Sequence, residues 1–236
     1  MAGAPPQSND RHPTILVADD DEAIRQVLGA QLAARGYLIC QAGSGEEVLQ
    51  AVTSLRPDVI VLDLGLPGVD GIEVTRRLRL STQTPIIILS VRAAESDKIA
   101  ALDAGADDYL TKPCQTGDLL ERIRTALFRT TFAGALFESG ALAVDLKRRV
   151  VRIGDCPIQL TTAEYELLKV FVVNAGRLLT QHRLAYEAWG QRSDEEASQL
   201  LRTTIRTLRQ KLESNPTRPR YIVMEPGVGY RLRIEP

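Results

Sequence analysis

The chain has 236 residues, of which 44% are hydrophobic and 25% charged, with a formal net charge of −1 at pH 7. This length exceeds the usual size of one compact domain and predicts two domains, each with its own core. No apolar run approaches the roughly 20 residues of a membrane span, which argues against a membrane partner. The three cysteines are far apart and contain no CxxC pair, so neither a disulfide framework nor a zinc site is indicated, and we expect a cytoplasmic protein.

Charge is divided unevenly along the chain. Residues 1–130 hold 13 Lys and Arg against 18 Asp and Glu, a balance of −5, whereas residues 131–236 hold 16 against 12, a balance of +4. An acidic first half and a basic second half predict different partners for the two domains.

The first half alternates short apolar runs with segments of helical spacing, a pattern typical of a doubly wound parallel sheet in an α/β domain. Central strands of such a sheet are covered by helices on both faces and are therefore apolar throughout, as ILVA, VIVL and IIIL are. The predicted strands are Thr14–Ala18, Leu38–Cys40, Val59–Leu62, Ile86–Leu89 and Tyr109–Leu110.

Polar side chains stand where these predicted strands end: Asp19 and Asp20, Asp63, Ser90 and Lys112. Ligands of open α/β sheets bind at the carboxyl ends of the strands. A single Asp at such a point is usually a turn or helix-capping residue, but carboxylates gathered at one edge repel unless a cation compensates them. Because Mg²⁺ prefers oxygen ligands, the pattern predicts a magnesium site.

The second half predicts an α+β domain. A capping box, Thr161 to Glu164, opens an amphipathic helix, and a hairpin is expected around Gly227 to Gly229. The other predicted elements are strands at Leu142–Asp145, Val150–Ile153 and Pro157–Leu160, and helices at Arg183–Trp189 and Glu196–Glu213.

The helix predicted at Glu196–Glu213 combines an apolar stripe with a basic side that has no acid between Gln199 and Lys211. Such a helix suits the major groove of double-stranded DNA, where Arg pairs with base edges and Lys or Thr with phosphates. The stripe consists of Leu201, Ile205, Leu208 and Leu212. The predicted DNA contacts are Arg202, Thr203, Arg206, Thr207, Arg209, Gln210 and Lys211 on the helix and Arg220, Gly229 and Tyr230 near the hairpin, with Arg218, Arg231 and Arg233 available to the backbone or minor groove.

The stretches ADDD, VLDLGLPGVDG, LSVR and GADDYLTKP resemble the receiver domain of two-component response regulators over about residues 13–128. This resemblance implies that Asp63 accepts a phosphoryl group and that Asp20, Asp63 and the carbonyl of Gly65 bind Mg²⁺, with Asp19 helping through water. It also implies that Lys112 pairs with the phosphoryl group and that Ser90 and Tyr109 form the switch.

The stretches LTTAEYELL, LRQKL and GVGYR resemble the winged helix-turn-helix domain of the OmpR/PhoB subfamily over about residues 136–236. The implied protein is a transcriptional regulator that a sensor histidine kinase phosphorylates, that forms a homodimer and that binds promoter DNA, with RNA polymerase as a further partner. The stretches DLGLPGVDGIE and ESDKIAALDAGADDYLTKP are also similar to regulators of potassium-transport genes. The segment LRTTIRTLRQKL departs from the subfamily's usual pattern, which has Asp and His at its centre.

The same resemblance implies a dimer face on the receiver, joined by ion pairs between two copies. These pairs are Lys98–Asp118, Asp108–Arg122 and Asp107–Arg129. One departure from the family is Cys114, where Phe usually follows the Lys-Pro pair.

The predicted division is a disordered leader at residues 1–12, a receiver domain at 13–129, a linker at 130–138 and a winged-helix domain at 139–236. We expect no enzyme: a phosphatase with an aspartate nucleophile needs a second acid two residues further on, where this chain has Gly65. The remaining alternative is a DNA-binding regulator whose receiver serves as a docking module without phosphate.

Overall fold

The computed structural model describes residues 12–131, 136–190 and 194–235, without the side chains of residues 129–131 and 194. Most of the predicted leader and residues 132–135 of the predicted linker lie outside these ranges. Within them, no helix is both long enough and apolar enough to cross a membrane.

The N-terminal domain is a five-stranded parallel sheet flanked by helices, which confirms the predicted fold class. The strand order is β2-β1-β3-β4-β5. Its elements are β1 (Thr14–Ala18), α1 (Glu22–Ala33), β2 (Leu38–Ala42), α2 (Gly45–Leu55), β3 (Val59–Leu62), α3 (Gly71–Arg79), β4 (Ile86–Ser90), α4 (Glu95–Asp103), β5 (Asp108–Thr111) and α5 (Thr116–Thr131).

Both faces of the central strands are buried. In β3, Val59 and Val61 join the apolar cluster on one face of the sheet, while Ile60 and Leu62 join the cluster on the other. Successive side chains of a strand point to opposite faces, so a strand covered on both sides requires an uninterrupted apolar run.

Backbone hydrogen bonds bring the polar strand ends to one edge of the sheet. The N–H of Asp63 donates to the carbonyl of Ala18 at 2.8 Å, and the N–H of Lys112 donates to the carbonyl of Ser90 at 2.8 Å. The register of the parallel strands therefore places the residues that follow β1, β3, β4 and β5 side by side.

The C-terminal domain consists of two antiparallel sheets and three helices around one apolar core that includes Phe171 and Leu208. The first sheet contains β6 (Leu136–Ser139), β7 (Leu142–Asp145), β8 (Val150–Ile153) and β9 (Cys156–Pro157). The helices are α6 (Thr162–Val173), α7 (Gln181–Trp189) and α8 (Asp194–Leu212), and the second sheet contains β10 (Leu179–Thr180), β11 (Ile222–Glu225) and β12 (Gly229–Leu232).

The C-terminal domain begins earlier than the sequence predicts. Residues 136–138, assigned to the linker, belong to β6, which pairs with β7, and Phe137 is buried in the core. The helix α5 also continues past residue 129 to Thr131. The strands β6 and β10 are four and two residues long, too short for a recognisable period.

A buried carboxylate fixes the hairpin relative to α8. Glu213, directly after α8, is 7% exposed. Its Oε2 accepts the N–H of Arg220 at 2.7 Å, and its Oε1 accepts the N–H groups of Tyr221 and Ile222 at 2.9 Å each. These bonds satisfy three backbone donors where the chain enters β11, so the carboxylate holds the second sheet against the helix.

We predict that Glu213→Ala lowers the free energy of unfolding by at least about 2 kcal/mol, because three backbone donors lose their acceptor and two of these bonds are buried. Urea unfolding followed by circular dichroism measures the change. Glu196→Ala, on the exposed side of the same helix, is the matched control and should change the stability by less than about 0.5 kcal/mol. Equal stability of Glu213→Ala and the wild type would contradict this role.

Candidate functional site

Three carboxylates form a cluster where β1 and β3 end. Asp19 and Asp63 are buried, Asp20 is exposed, and each offers a carboxylate oxygen within 4.8 Å of the others. Such a set of hard oxygen donors suits a divalent cation. The structure thus brings together the three acids that the sequence assigns to a metal.

Lys112 lies between two of these acids. Its Nζ is 2.5 Å from Asp19 Oδ2 and 2.5 Å from Asp63 Oδ2. The exposed fractions of the three side chains are 13%, 3% and 8%, so both ion pairs are shielded from water. A buried charge is stable only when it is paired, and the ammonium group supplies that pairing for both carboxylates.

The ion pairs keep Asp63 and Lys112 charged. Burial by itself raises the pKa of Asp63, but the hydrogen bonds from Lys112, from the N–H of Gly65 and from Ser90 bring that pKa below its ordinary value. Burial likewise lowers the pKa of Lys112, but its bonds to Asp19 and Asp63 raise it overall. The Asp63 carboxylate is therefore ionised at neutral pH, as a nucleophile must be.

The loop after β3 approaches this site closely. The N–H of Gly65 donates to Asp63 Oδ1 at 3.1 Å. A Cβ on Gly71 would lie 2.6 Å from the carbonyl oxygen of Asp63 and 2.6 Å from the Cα of Leu64, so only glycine fits there. The side chain of Asp70 caps α3 by accepting the N–H of Ile72.

The predicted switch residues lie beside the carboxylate cluster. Ser90 is completely buried, its hydroxyl accepts the N–H of Arg92 at 3.4 Å, and it lies near enough to Asp63 and Tyr109 to lower the pKa of each. The ring of Tyr109 lies inward, and its hydroxyl donates to the carbonyl of Arg92 at 2.6 Å. Burial raises the pKa of Tyr109, so the phenol stays neutral.

Arg92 is a member of this site that sequence reasoning missed. Its guanidinium donates to Asp70 Oδ2 at 2.7 Å and to the carbonyl of Leu64 at 3.4 Å, while its own carbonyl accepts the Tyr109 hydroxyl. Arg92 therefore connects the loop after β3 with Tyr109, one of the two predicted switch residues. A single Arg after a strand carries no sequence signal for contacts with residues more than 20 positions earlier.

Cys114 packs as a partly buried side chain against the cluster of β1, β3, β4 and α5. Burial raises the pKa of its thiol, with a further rise from the negative charge of Asp118. The thiol is therefore neutral at pH 7 and fills space where the family usually has Phe.

The basic side of α8 divides into two groups. Arg202, Thr203, Arg206 and Gln210 are exposed, and Thr207 is half-buried. The other two predicted contacts are engaged within the domain: Arg209 donates to the carbonyl of Ile222 at 2.8 Å, and Lys211 donates to Glu164 at 2.6 Å.

The predicted contacts near the hairpin also differ in exposure. Arg220 is exposed and paired with Glu235. Gly229 is buried against the carbonyl of Leu179, and Tyr230 is 7% exposed in the domain core. Among these three, only the guanidinium of Arg220 is accessible to a DNA backbone.

The residues of the predicted dimer face lie on α4, β5 and α5 and on the segments around them. Asp107 accepts a bond of 2.5 Å from Arg79, and Asp108 lies 3.3 Å from Arg122 of the same chain. Lys98 is half-buried and Asp118 is exposed, whereas the side chain of Arg129 lies outside the described residues. The pairs between two copies stay a prediction.

Comparison with known proteins agrees with this architecture. Residues 15–124 match the family described as "Response regulator receiver domain", and residues 155–232 match "Transcriptional regulatory protein, C terminal". The chain is 44% identical over 223 residues to the "KDP operon transcriptional regulatory protein KdpE" of Escherichia coli, covering 93% of this chain and 99% of that protein. It is 42% identical over 228 residues to the "Response regulator MprA" of Mycolicibacterium vanbaalenii, covering 94% of this chain and 98% of that protein.

A crystal structure of the response regulator DrrB, an OmpR/PhoB homologue from Thermotoga maritima, is similar with a TM-score of 0.50 and 29% identity, covering 94% of this chain and 100% of that one. The chain therefore belongs to the two-component response regulators of the OmpR/PhoB type, with a receiver domain and a winged-helix DNA-binding domain. Among its relatives it is similar over nearly its full length to KdpE proteins.

We predict that Lys112→Met raises the pKa of Asp63 in metal-free buffer, because burial remains while the opposite charge is lost. A ¹³C NMR titration of the Asp63 carboxyl carbon measures this pKa. Lys147→Met, which removes an exposed lysine of the other domain, should leave it unchanged. An unchanged Asp63 pKa in Lys112→Met would show that the ion pair does not hold the carboxylate ionised.

Lys112→Met should also change how the free energy of unfolding depends on pH. In the wild type, the lowered pKa of Asp63 contributes stability that is present above the unfolded carboxyl pKa of about 3.9. That contribution is lost as the pH falls through the lower folded pKa. In Lys112→Met the contribution should shrink or change sign.

Proposed function

We propose that the chain is a phosphorylation-activated regulator of transcription, with Asp63 as the residue that accepts the phosphoryl group. The observation that carries this proposal is the ionised Asp63 carboxylate, held by Lys112 within a cluster of three acids. A sensor histidine kinase would be the phosphodonor.

In the transfer step, a carboxylate oxygen of Asp63 attacks phosphorus, the new O–P bond forms, and the N–P bond to the kinase histidine breaks. Catalysis of such a transfer consists of positioning and of neutralising the charge on the phosphoryl oxygens. Lys112 is close enough to supply part of that neutralisation. Mg²⁺, when bound, would supply the rest, held by Asp20, Asp63 and the carbonyl of Gly65, with Asp19 acting through water.

The phosphoryl group would then shift the equilibrium between two conformations of the receiver. Ser90 and Tyr109 lie next to Asp63 and would respond to a new phosphoryl oxygen. The phosphoryl group can favour one conformation by no more than the difference between its interaction free energies with the two conformations. The conformation that the phosphoryl group favours would dimerise through the face formed by α4, β5 and α5. Exposed ion pairs contribute only roughly 0–1 kcal/mol each, so the pairs between copies would determine specificity more than affinity.

In the dimer, two copies of α8 would enter the major groove at adjacent half-sites of promoter DNA. The exposed residues of α8, namely Arg202, Thr203, Arg206 and Gln210, are the best placed to reach base edges or phosphates. Arg209 and Lys211 would act within the domain by holding α8 against β11 and α6.

The target genes are proposed from the relatives named KdpE. We infer potassium-transport genes as the target, a KdpD-like sensor histidine kinase as the phosphodonor, and RNA polymerase as the partner at the promoter, in the cytoplasm.

We predict that wild-type protein with Mg²⁺ and beryllofluoride, a phosphoryl mimic, forms dimers in sedimentation velocity, whereas Asp63→Asn stays monomeric. The amide keeps the size of the side chain but removes the nucleophile and a metal ligand. Only the wild type should incorporate acid-labile phosphate from a phosphodonor.

Asp155→Asn, an exposed substitution in a hairpin of the other domain, is the matched control and should behave as the wild type does. Phosphate incorporation by Asp63→Asn would move the acceptor elsewhere. Equal DNA binding by both proteins, with no change of assembly, would favour the alternative of a docking receiver that works without phosphate.

We predict that Arg206→Ala weakens binding to the operator by roughly 1–3 kcal/mol and weakens binding to random DNA much less, since a bidentate contact to a base carries discrimination of that size. Fluorescence anisotropy with both DNAs at several salt concentrations measures this. Arg148→Ala, an arginine with an 83% exposed side chain in a turn, is the control. Equal losses on both DNAs would make Arg206 a phosphate contact.

A further inference from the structure

The carboxylate of Asp20 is held differently from the other two carboxylates of the cluster. Asp19 and Asp63 are buried, and both lie 2.5 Å from Nζ of Lys112. Asp20 is exposed, and within the described part of the chain its carboxylate accepts no hydrogen bond and forms no ion pair. The direction in which this carboxylate points therefore depends on the backbone that carries it.

That backbone is held by Arg25, which lies in the first turn of α1. Nη1 of Arg25 donates to the carbonyl oxygen of Asp19 at 2.7 Å and to the carbonyl oxygen of Asp20 at 3.1 Å. These two carbonyls belong to the peptide planes on either side of the Asp20 Cα. Each residue has only two soft backbone dihedrals, so a donor that binds both planes restrains φ and ψ of Asp20 and with them the direction of its Cα–Cβ bond.

The guanidinium of Arg25 is itself held in place. The backbone N–H of Arg25 donates to the carbonyl of Asp21, the N-cap of α1, at 3.1 Å. Long side chains of a helix point towards its N-terminus, which brings the guanidinium back over the loop that precedes α1. A Cβ on Gly43 would lie 3.4 Å from Nη1 and 3.6 Å from Cζ of Arg25, so the guanidinium also packs against the backbone that follows β2.

The charge of Arg25 alone does not favour a metal at this site. A guanidinium repels a nearby divalent cation, and a positive charge in the first turn of a helix is also unfavourable with the helix dipole. If Arg25 contributed only its charge, removing it would tighten Mg²⁺ binding. A role in positioning predicts the opposite sign, since Mg²⁺ demands near-ideal octahedral geometry from its ligands.

We propose that Arg25 is a positioning residue for the Mg²⁺ site, which directs the Asp20 carboxylate into the acid cluster by holding the carbonyls on both sides of the Asp20 Cα. This inference rests on the Mg²⁺ site proposed above. Replacing a residue that orients a metal ligand typically weakens metal binding by about 10–100-fold. Arg25 orients one ligand of several, so the lower end of that range is expected.

Titration of the unphosphorylated full-length protein with Mg²⁺, followed by the amide NMR signal of Gly65, measures the dissociation constant and shows that each variant is folded. Arg25→Gln should weaken Mg²⁺ binding roughly tenfold. Arg25→Lys keeps the charge and a donor and should recover part of that loss. Arg35→Gln is the matched control and should bind as the wild type does, because Arg35 is exposed just after α1 and donates to the carbonyl of Gln31 at 2.7 Å. Equal or tighter binding by Arg25→Gln would overturn the proposal.

A double-mutant cycle with Asp20→Ala separates positioning of Asp20 from a general loosening of the loop. If Arg25 acts through the Asp20 carboxylate, adding Arg25→Gln to Asp20→Ala should change the Mg²⁺ dissociation constant by less than about twofold. Independent effects would instead multiply, and multiplied losses in the double variant would contradict the proposed role of Arg25.

The same titrations distinguish failure of this inference from failure of the Mg²⁺ site. Absence of Mg²⁺ binding by the wild type, or equal binding by the wild type and Asp20→Ala, would refute the proposed Mg²⁺ site and the role of Arg25 with it. Weak binding by Asp20→Ala together with unchanged binding by Arg25→Gln would refute the role of Arg25 alone.

Discussion

The receiver depends on one electrostatic constraint, the crowding of carboxylates at the ends of β1 and β3. Carboxylates within 4.8 Å of one another repel, and the ammonium of Lys112 makes their burial possible by pairing with Asp19 and Asp63 together. The same pairing keeps Asp63 ionised and places a positive charge where phosphoryl oxygens would arrive. Stability of the sheet edge and the proposed reactivity of Asp63 therefore have a common physical origin.

Strand β5 connects this site with the rest of the chain. Tyr109 lies on β5 and hydrogen-bonds to Arg92 beside the site, while the preceding residue, Asp108, pairs with Arg231 of the C-terminal domain. Adjacent residues of a strand point to opposite faces. If a change at the carboxylate cluster moved Tyr109, the next residue along the strand, Asp108, would be affected directly, and with it the ion pair to Arg231.

In the C-terminal domain, charged side chains have two different roles on one helix. Arg209 and Lys211 are bound to β11 and to Glu164, and Glu213 binds the backbone where β11 begins. These contacts fix α8 relative to the hairpin. The exposed residues Arg202 and Arg206 are thereby presented on a rigid element, which a precise contact with bases requires.

The sequence by itself determined the parallel sheet, the order of its elements and the carboxylate cluster, because two-sided burial demands apolar runs and the strand ends must meet at one edge. It also determined that α8 has an apolar stripe and a basic side. Tertiary structure alone decided which of those basic residues face solvent, that β6 begins inside the expected linker, and that Arg92 joins the site. It alone decided that Arg231 binds Asp108, because a pair separated by 123 positions has no local pattern and forms only when two folded surfaces meet.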